Sequence, residues 1–89
     1  MEITLKFDTL FLALTGREYG ERVYKEQIEP HEYHDHITLL FPEHVQVIAS
    51  SFAGGLLGAQ VEKWGNAKVK AKYKIKNEEL AQQIWEAFE

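Results

Sequence analysis

An apolar segment, Val45 to Ala49, runs directly into Ser50-Ser51-Phe52-Ala53-Gly54-Gly55-Leu56-Leu57-Gly58. There the apolar spacing changes from that of a strand to that of a helix, so one element must hand over to the other within about two residues. The helix carries its apolar positions at Ala53, Leu57, Val61 and Trp64, widened by Phe52 and Leu56, and Gly65-Asn66 ends it. Two hydroxyls at its start suit an N-cap, worth about 1 kcal/mol. They equally suit a phosphorylatable or anion-accepting surface, because a helix N-terminus favours negative charge. Gly54 and Gly55 each cost close to 1 kcal/mol against alanine. Something must therefore approach the backbone closely: the sheet, beneath Gly54 and Gly58, or a partner at the helix N-terminus.

The flanking patterns fill in the rest. Residues 2–7 alternate, with Ile3, Leu5 and Phe7 opposite Glu2, Thr4 and Lys6. Asp8-Thr9 supplies turn residues, and Leu10, Leu12 and Leu14 resume the alternation, which predicts an antiparallel hairpin. Thr15-Gly16 opens a helix from Arg17 to about Glu29, stopped by Pro30. The apolar run at 37–41 is too short for a helix and predicts a central strand. Lys68, Lys70, Lys72, Lys74 and Lys76 alternate with Val69, Ala71, Tyr73 and Ile75, predicting a strand with one charged face. Asn77 caps a last helix whose buried stripe is Leu80, Ala81, Ile84, Trp85 and Phe88. The order is ββαβαβα over one domain, residues 1–89. It predicts an α/β two-layer sandwich: a mixed four-stranded sheet with its helices mainly on the face away from the lysines.

Composition narrows the function. Cysteine is absent, which removes disulfide and thiolate chemistry. Residues 2–7 alternate where a secretory signal would place a basic region and an apolar run, and no apolar tract approaches the length of a membrane span. A cytoplasmic protein without a membrane partner is expected. The net charge of −4 is unevenly spread, since the five alternating lysines fall in a stretch without acid. With Tyr73 on the opposite face of that predicted strand, the lysines lack aromatic company, so a solubilising, edge-protecting face is expected and a nucleic-acid partner is not. His31, His34, His36 and His44, with Glu32 and Asp35, have ligand chemistry but no helical i,i+4 spacing; a solvated loop is expected, with no metal and no cofactor. The serines lack a placed base and a nucleophile elbow, so the chain reads as a non-enzyme.

From Val47 through Ser50-Ser51-Phe52-Ala53 to Gly58, with Arg17 opening the first helix, the chain resembles the STAS-like family of uncharacterised bacterial domains. That family is related to the STAS domains of anti-sigma-factor antagonists. The resemblance implies a STAS-like fold and a regulatory, partner-binding module with no chemistry of its own. It implies a kinase-type regulator as the class of partner, and Ser51 as the match to the antagonists' phosphorylated serine. This chain departs from the pattern at Ala49, Leu40, Gly54 and Gly55, where relatives carry acids. Partner contact is expected at Ser50, Ser51, Phe52, Gly54 and Gly55, with Arg17 as a secondary contact. The alternative is a structural module that forms a homodimer through an exposed sheet edge, without a phosphorylation switch.

Overall fold

Strands pair in parallel wherever the structure, a computed structural model that describes residues 1–7 and 11–89, forms a ladder. β1 (Glu2–Thr4) lies beside β3 (Ile37–Leu40), and β3 beside β5 (Tyr73–Ile75), so the apolar run is the central strand. β2 (Ala13–Leu14) and β4 (Val47–Ile48) form a second, two-stranded ladder. Parallel neighbours need a crossover between them. α1 (Arg17–Val23) lies on the path from β2 to β3, and α2 (Ser50–Trp64) with α3 (Asn66–Lys72) on the path from β4 to β5. α4 (Glu78–Glu86) packs against β4 and β5. The architecture is α/β.

Among the described residues the expected hairpin is not formed, and with it go the mixed four-stranded sheet and the STAS-like ββαβαβα order. β1 takes β3 and β2 takes β4, each in parallel. Glu2 faces Thr38, an offset of 36, whereas Ala13 faces Val47, an offset of 34. The N-terminal segment thus spends two more residues between its paired stretches than its partner does. Alternation reports which face a residue occupies, not which strand it pairs with. Ile3, Leu5 and Leu14 are buried as the pattern requires, but Leu12, expected inside, is 63% exposed. The Asp8-Thr9 turn and Leu10 lie outside the described residues.

The lysine run differs too. Its first part is helix α3, and only Tyr73–Ile75 is strand. Val69 and Tyr73 are buried while Ala71 is exposed, so the four-residue spacing, not the two-residue one, describes the packing. Lysine and alanine are good helix formers. Gly65, at φ 87°, ends α2 and opens α3. Past α1 the chain stays helical through a π turn, Tyr24–Ile28, and a 3-10 turn, Glu29–His31, that contains Pro30. The Glu29 N–H donates to the Tyr24 carbonyl, a ring one residue wider than in an α-helix.

Two glutamines close strand edges. The Gln27 amide donates to the Lys6 carbonyl at 2.6 Å and accepts from the Lys6 N–H at 2.7 Å. Gln83 accepts from the Ile48 N–H at 2.6 Å and donates to the Gln46 carbonyl at 3.3 Å. Each side chain supplies the donor and acceptor that a further strand would offer. Asn77 caps α4 by accepting from the Leu80 N–H at 3.1 Å, and Leu80 and Ile84 enter the core beneath it.

Tyr24 and Tyr73 are buried beside Glu32, to which the Tyr73 hydroxyl donates at 3.5 Å. Burial first, and then the hydrogen bond and charge of Glu32, push both phenols well above the ordinary tyrosine value. The folded chain therefore holds these protons more tightly than the unfolded chain. Their contribution is fully present below about pH 10 and falls as pH rises beyond it, by about 1.4 kcal/mol per unit for each tyrosine. Urea unfolding followed from about pH 9 to 11 should show this loss. Tyr24→Phe and Tyr73→Phe should each flatten the slope, and a slope unchanged in both variants would contradict the assignment.

Candidate functional site

Helices α1 and α2 meet through glycine. A Cβ on Gly20 would collide with the Phe52 carbonyl oxygen and stand 2.8 Å from the Leu56 nitrogen. A Cβ on Gly55 would collide with the Arg17 carbonyl oxygen and stand 2.9 Å from the Glu21 nitrogen. The two backbones thus lie against each other on reciprocal glycines. This explains one of the two costly glycines of α2: Gly55 serves packing, and its close neighbour is the backbone of α1. Phe52, beside it, is fully buried and belongs to the core. Phe52 therefore offers no surface to a partner, whereas Gly55, half-buried, stays at the edge of a hollow beside Arg17 and Gly54.

The serines keep their exposure but not the capping role. Ala49, in extended conformation, precedes α2 as its N-cap residue and offers no side-chain cap. Ser50 and Ser51 are the first two residues of the helix, both exposed. The Ser51 hydroxyl accepts a hydrogen bond at 3.0 Å from the N–H of Gly16, the N-cap residue of α1. Gly16 adopts φ 97°, a conformation in which a side chain would be strained. This bond ties the start of one helix to the start of the other and sets Arg17 beside the serines.

What results is a shallow cleft of ≈ 430 Å³. Arg17, Ser50, Ser51, Gly54 and Gly58 line it, Val61, Ala87 and Phe88 give it apolar wall, and Glu62 adds a carboxylate. The Arg17 side chain lies along Gly54, its Nη1 3.8 Å from where a Cβ would stand, an ordinary contact distance. Beyond Arg17, a second hollow of ≈ 260 Å³ continues toward Glu21, Lys25 and Gln60. No family model, curated protein or solved structure matches the chain.

Of the six residues expected at a contact surface, four converge here: Arg17, Ser50, Ser51 and Gly54. Sequence reasoning missed Gly58, Val61, Glu62, Ala87 and Phe88. Gly58 had a signal, since it lies one turn beyond Gly54; Phe88 looked like the end of a core stripe. Chemically, the cleft offers a planar guanidinium suited to carboxylate or phosphate, and hydroxyls beside an apolar wall. Ser51 spends one acceptor site on Gly16 and keeps its proton to donate. None of the histidines lines the cleft. His36 reaches the Ala71 carbonyl at 3.3 Å, and His34 stacks on Tyr33 with centroids 4.3 Å apart. Among the described residues no three His, Asp or Glu side chains gather to hold a metal, and no helix is long and apolar enough to cross a membrane.

The glycines give opposite expectations at neighbouring positions. Gly20→Ala and Gly55→Ala overpack the helix crossing and should destabilise by roughly 1–3 kcal/mol or more. Gly58→Ala meets nothing within 4 Å and should stabilise by about 0.5–1 kcal/mol through helix propensity. Urea midpoints for the three variants check both signs; equal effects at positions 55 and 58 would contradict the crossing.

Proposed function

We propose that this chain is a non-enzymatic regulatory module that docks another protein at the cleft between the N-termini of α1 and α2. The observation that carries the reading is the convergence of Arg17, Ser50, Ser51 and Gly54, drawn from two helices, on one open cleft with an apolar wall. A partner would place an acidic or hydrogen-bonding group against Arg17 and the serines and an apolar side chain against Val61 and Phe88. In this reading Ser51 is the modification point, and the STAS-like resemblance of its surroundings suggests a kinase-type regulator as the partner. A phosphate on Ser51 would lie next to the Arg17 guanidinium and the positive end of α2, so the fold would tolerate it while the docking surface changed.

A second reading, self-association, has its own support. Leu12 and Val47 are 63% and 50% exposed; Val47 pairs with exposed Ala13 on the β2–β4 ladder, and its N–H donates to the Leu12 carbonyl. Among the described residues, no strand covers the outer side of β2.

Affinity capture from the source cells separates the two. The docking reading expects a protein recovered with the wild type and lost with both Ser51→Asp and Gly58→Arg, while each variant melts within about 3 °C of the wild type, less than 1 kcal/mol for a chain of this size. A partner retained by both variants puts docking elsewhere. If sedimentation instead finds a dimer that Leu12→Lys and Val47→Lys dissociate and Gly58→Arg leaves intact, self-association is the function.

A further inference from the structure

Residues 63–76 contain Lys63, Lys68, Lys70, Lys72, Lys74 and Lys76 and no acid. Because the first part of this run is a helix, its lysines acquire neighbours that a strand would deny them. Val69 is the buried residue of α3. At about 100° per residue, Lys68 and Lys72 leave one flank of the helix and Lys70 the other, and exposed Ala67 and Ala71 form the outward ridge. Each flank ends on an indole. Lys72 Nζ and Lys63 Nζ stand 5.4 Å and 5.3 Å from the Trp64 ring centroid, and Lys70 Nζ stands 5.9 Å from that of Trp85. Both rings are half-buried, and Trp64 forms a hollow of ≈ 280 Å³ with Lys68 and Lys72.

We propose that α3 and its two flanking indoles form a binding site for single-stranded nucleic acid. The sugar–phosphate backbone lies along the low ridge of Ala67 and Ala71, where small side chains permit close approach. Lysines reach its phosphates from both sides, and bases stack on Trp64 and Trp85. Lysines that neutralise phosphates and aromatic faces that accept any base are the two components of sequence-tolerant single-strand binding. An acidic polypeptide would use the lysines but would not stack on the indoles. Sequence-specific reading of a duplex needs a helix that carries base-reading side chains into a groove, whereas the outward residues of α3 are alanines. Lys72 is held by the Glu32 carbonyl at 2.5 Å, which leaves Lys68 and Lys70 as the mobile arms. Acids more than about 8 Å away are largely screened at physiological ionic strength; Glu32, whose carbonyl holds Lys72, stands closer.

The two tryptophans of the chain are Trp64 and Trp85, so tryptophan emission, excited selectively over the tyrosines, reports on this site alone. Oligothymidylate of about 15 nucleotides, titrated into the full chain, should quench the emission and raise the anisotropy of a labelled oligomer. With three phosphates neutralised, affinity should weaken roughly 15- to 20-fold between about 50 and 200 mM salt. Lys68→Glu combined with Lys70→Glu should weaken binding at least about tenfold and reduce the salt dependence, without loss of helical circular dichroism. Neither substitution touches the core. Trp85→Leu should cost about tenfold and remove part of the quenching. Absence of oligonucleotide binding at low salt overturns the proposal. So does equally tight binding of polyglutamate or of a duplex without quenching, which would make the surface a cationic patch for another kind of partner.

Discussion

Backbone contact between α1 and α2, on Gly20 and Gly55, is the constraint from which the rest of this molecule is built. Glycine on both sides lets main chain meet main chain, and any side chain there would wedge the helices apart. The close approach does two things at once. It directs Phe52 into an aromatic cluster, with ring centroids 5.6 Å from Tyr19 and 6.3 Å from Phe7, which in turn stacks 6.3 Å from Phe41. It also brings the start of α1 alongside the start of α2, where the Gly16–Ser51 hydrogen bond holds them. Core and cleft are two consequences of the same crossing, so packing residues and surface residues alternate within six positions of one helix.

Short ladders make the helices responsible for the strands as well. Pairings of two and three residues are marginal by themselves, since isolated strand pairs are barely stable in water. Gln27, from the π turn after α1, and Gln83, from α4, complete the hydrogen bonding of Lys6 and of β4. A primary amide is the one neutral side chain that offers both a donor and an acceptor in the geometry of a peptide group. Helix position therefore fixes where a strand edge is closed, and the β2–β4 ladder carries exposed Ala13 and Val47.

The sequence made the faces of this fold legible and left its partners obscure. Period-two alternation at 2–7 identified Ile3 and Leu5 as buried, and the 53–57–61–64 spacing located α2 to within a residue, because burial depends on local direction. Strand pairing does not. An apolar segment followed by another reads as a hairpin when the span between them is short, and nothing in Leu12 or Leu14 reveals that each ladder takes a segment more than thirty positions away. The lysine run misled for a related reason: positions 69 and 73 satisfy both a two-residue and a four-residue period, and only the exposure of Ala71 separates them. At the cleft, the serines, Arg17 and Gly54 were identifiable from residue type and position. Gly55 and Phe52 were not distinguishable from them, because the same glycine signal serves a ligand and a neighbouring helix. Phe88 entered the site through tertiary packing alone.

Secondary structure also decides what the lysines can do. As a strand, Lys68 to Lys76 would stretch over about 26 Å at 3.3 Å per residue, a dilute row of charge on an open sheet face. As a helix, Lys68 and Lys72 are separated by about 6 Å along the axis, and Lys70 lies on the other flank. The charge is concentrated, and two indoles from neighbouring helices are drawn to its margins by the packing of α2 and α4. Some 20 Å of helix α2 separates this surface from Ser51. A net charge of −4 describes neither end of the molecule, because the cleft sets one arginine and one glutamate beside hydroxyls while the far end presents ammonium groups over aromatic rings. Two chemically distinct surfaces on one small domain follow from where α2 begins and where it stops.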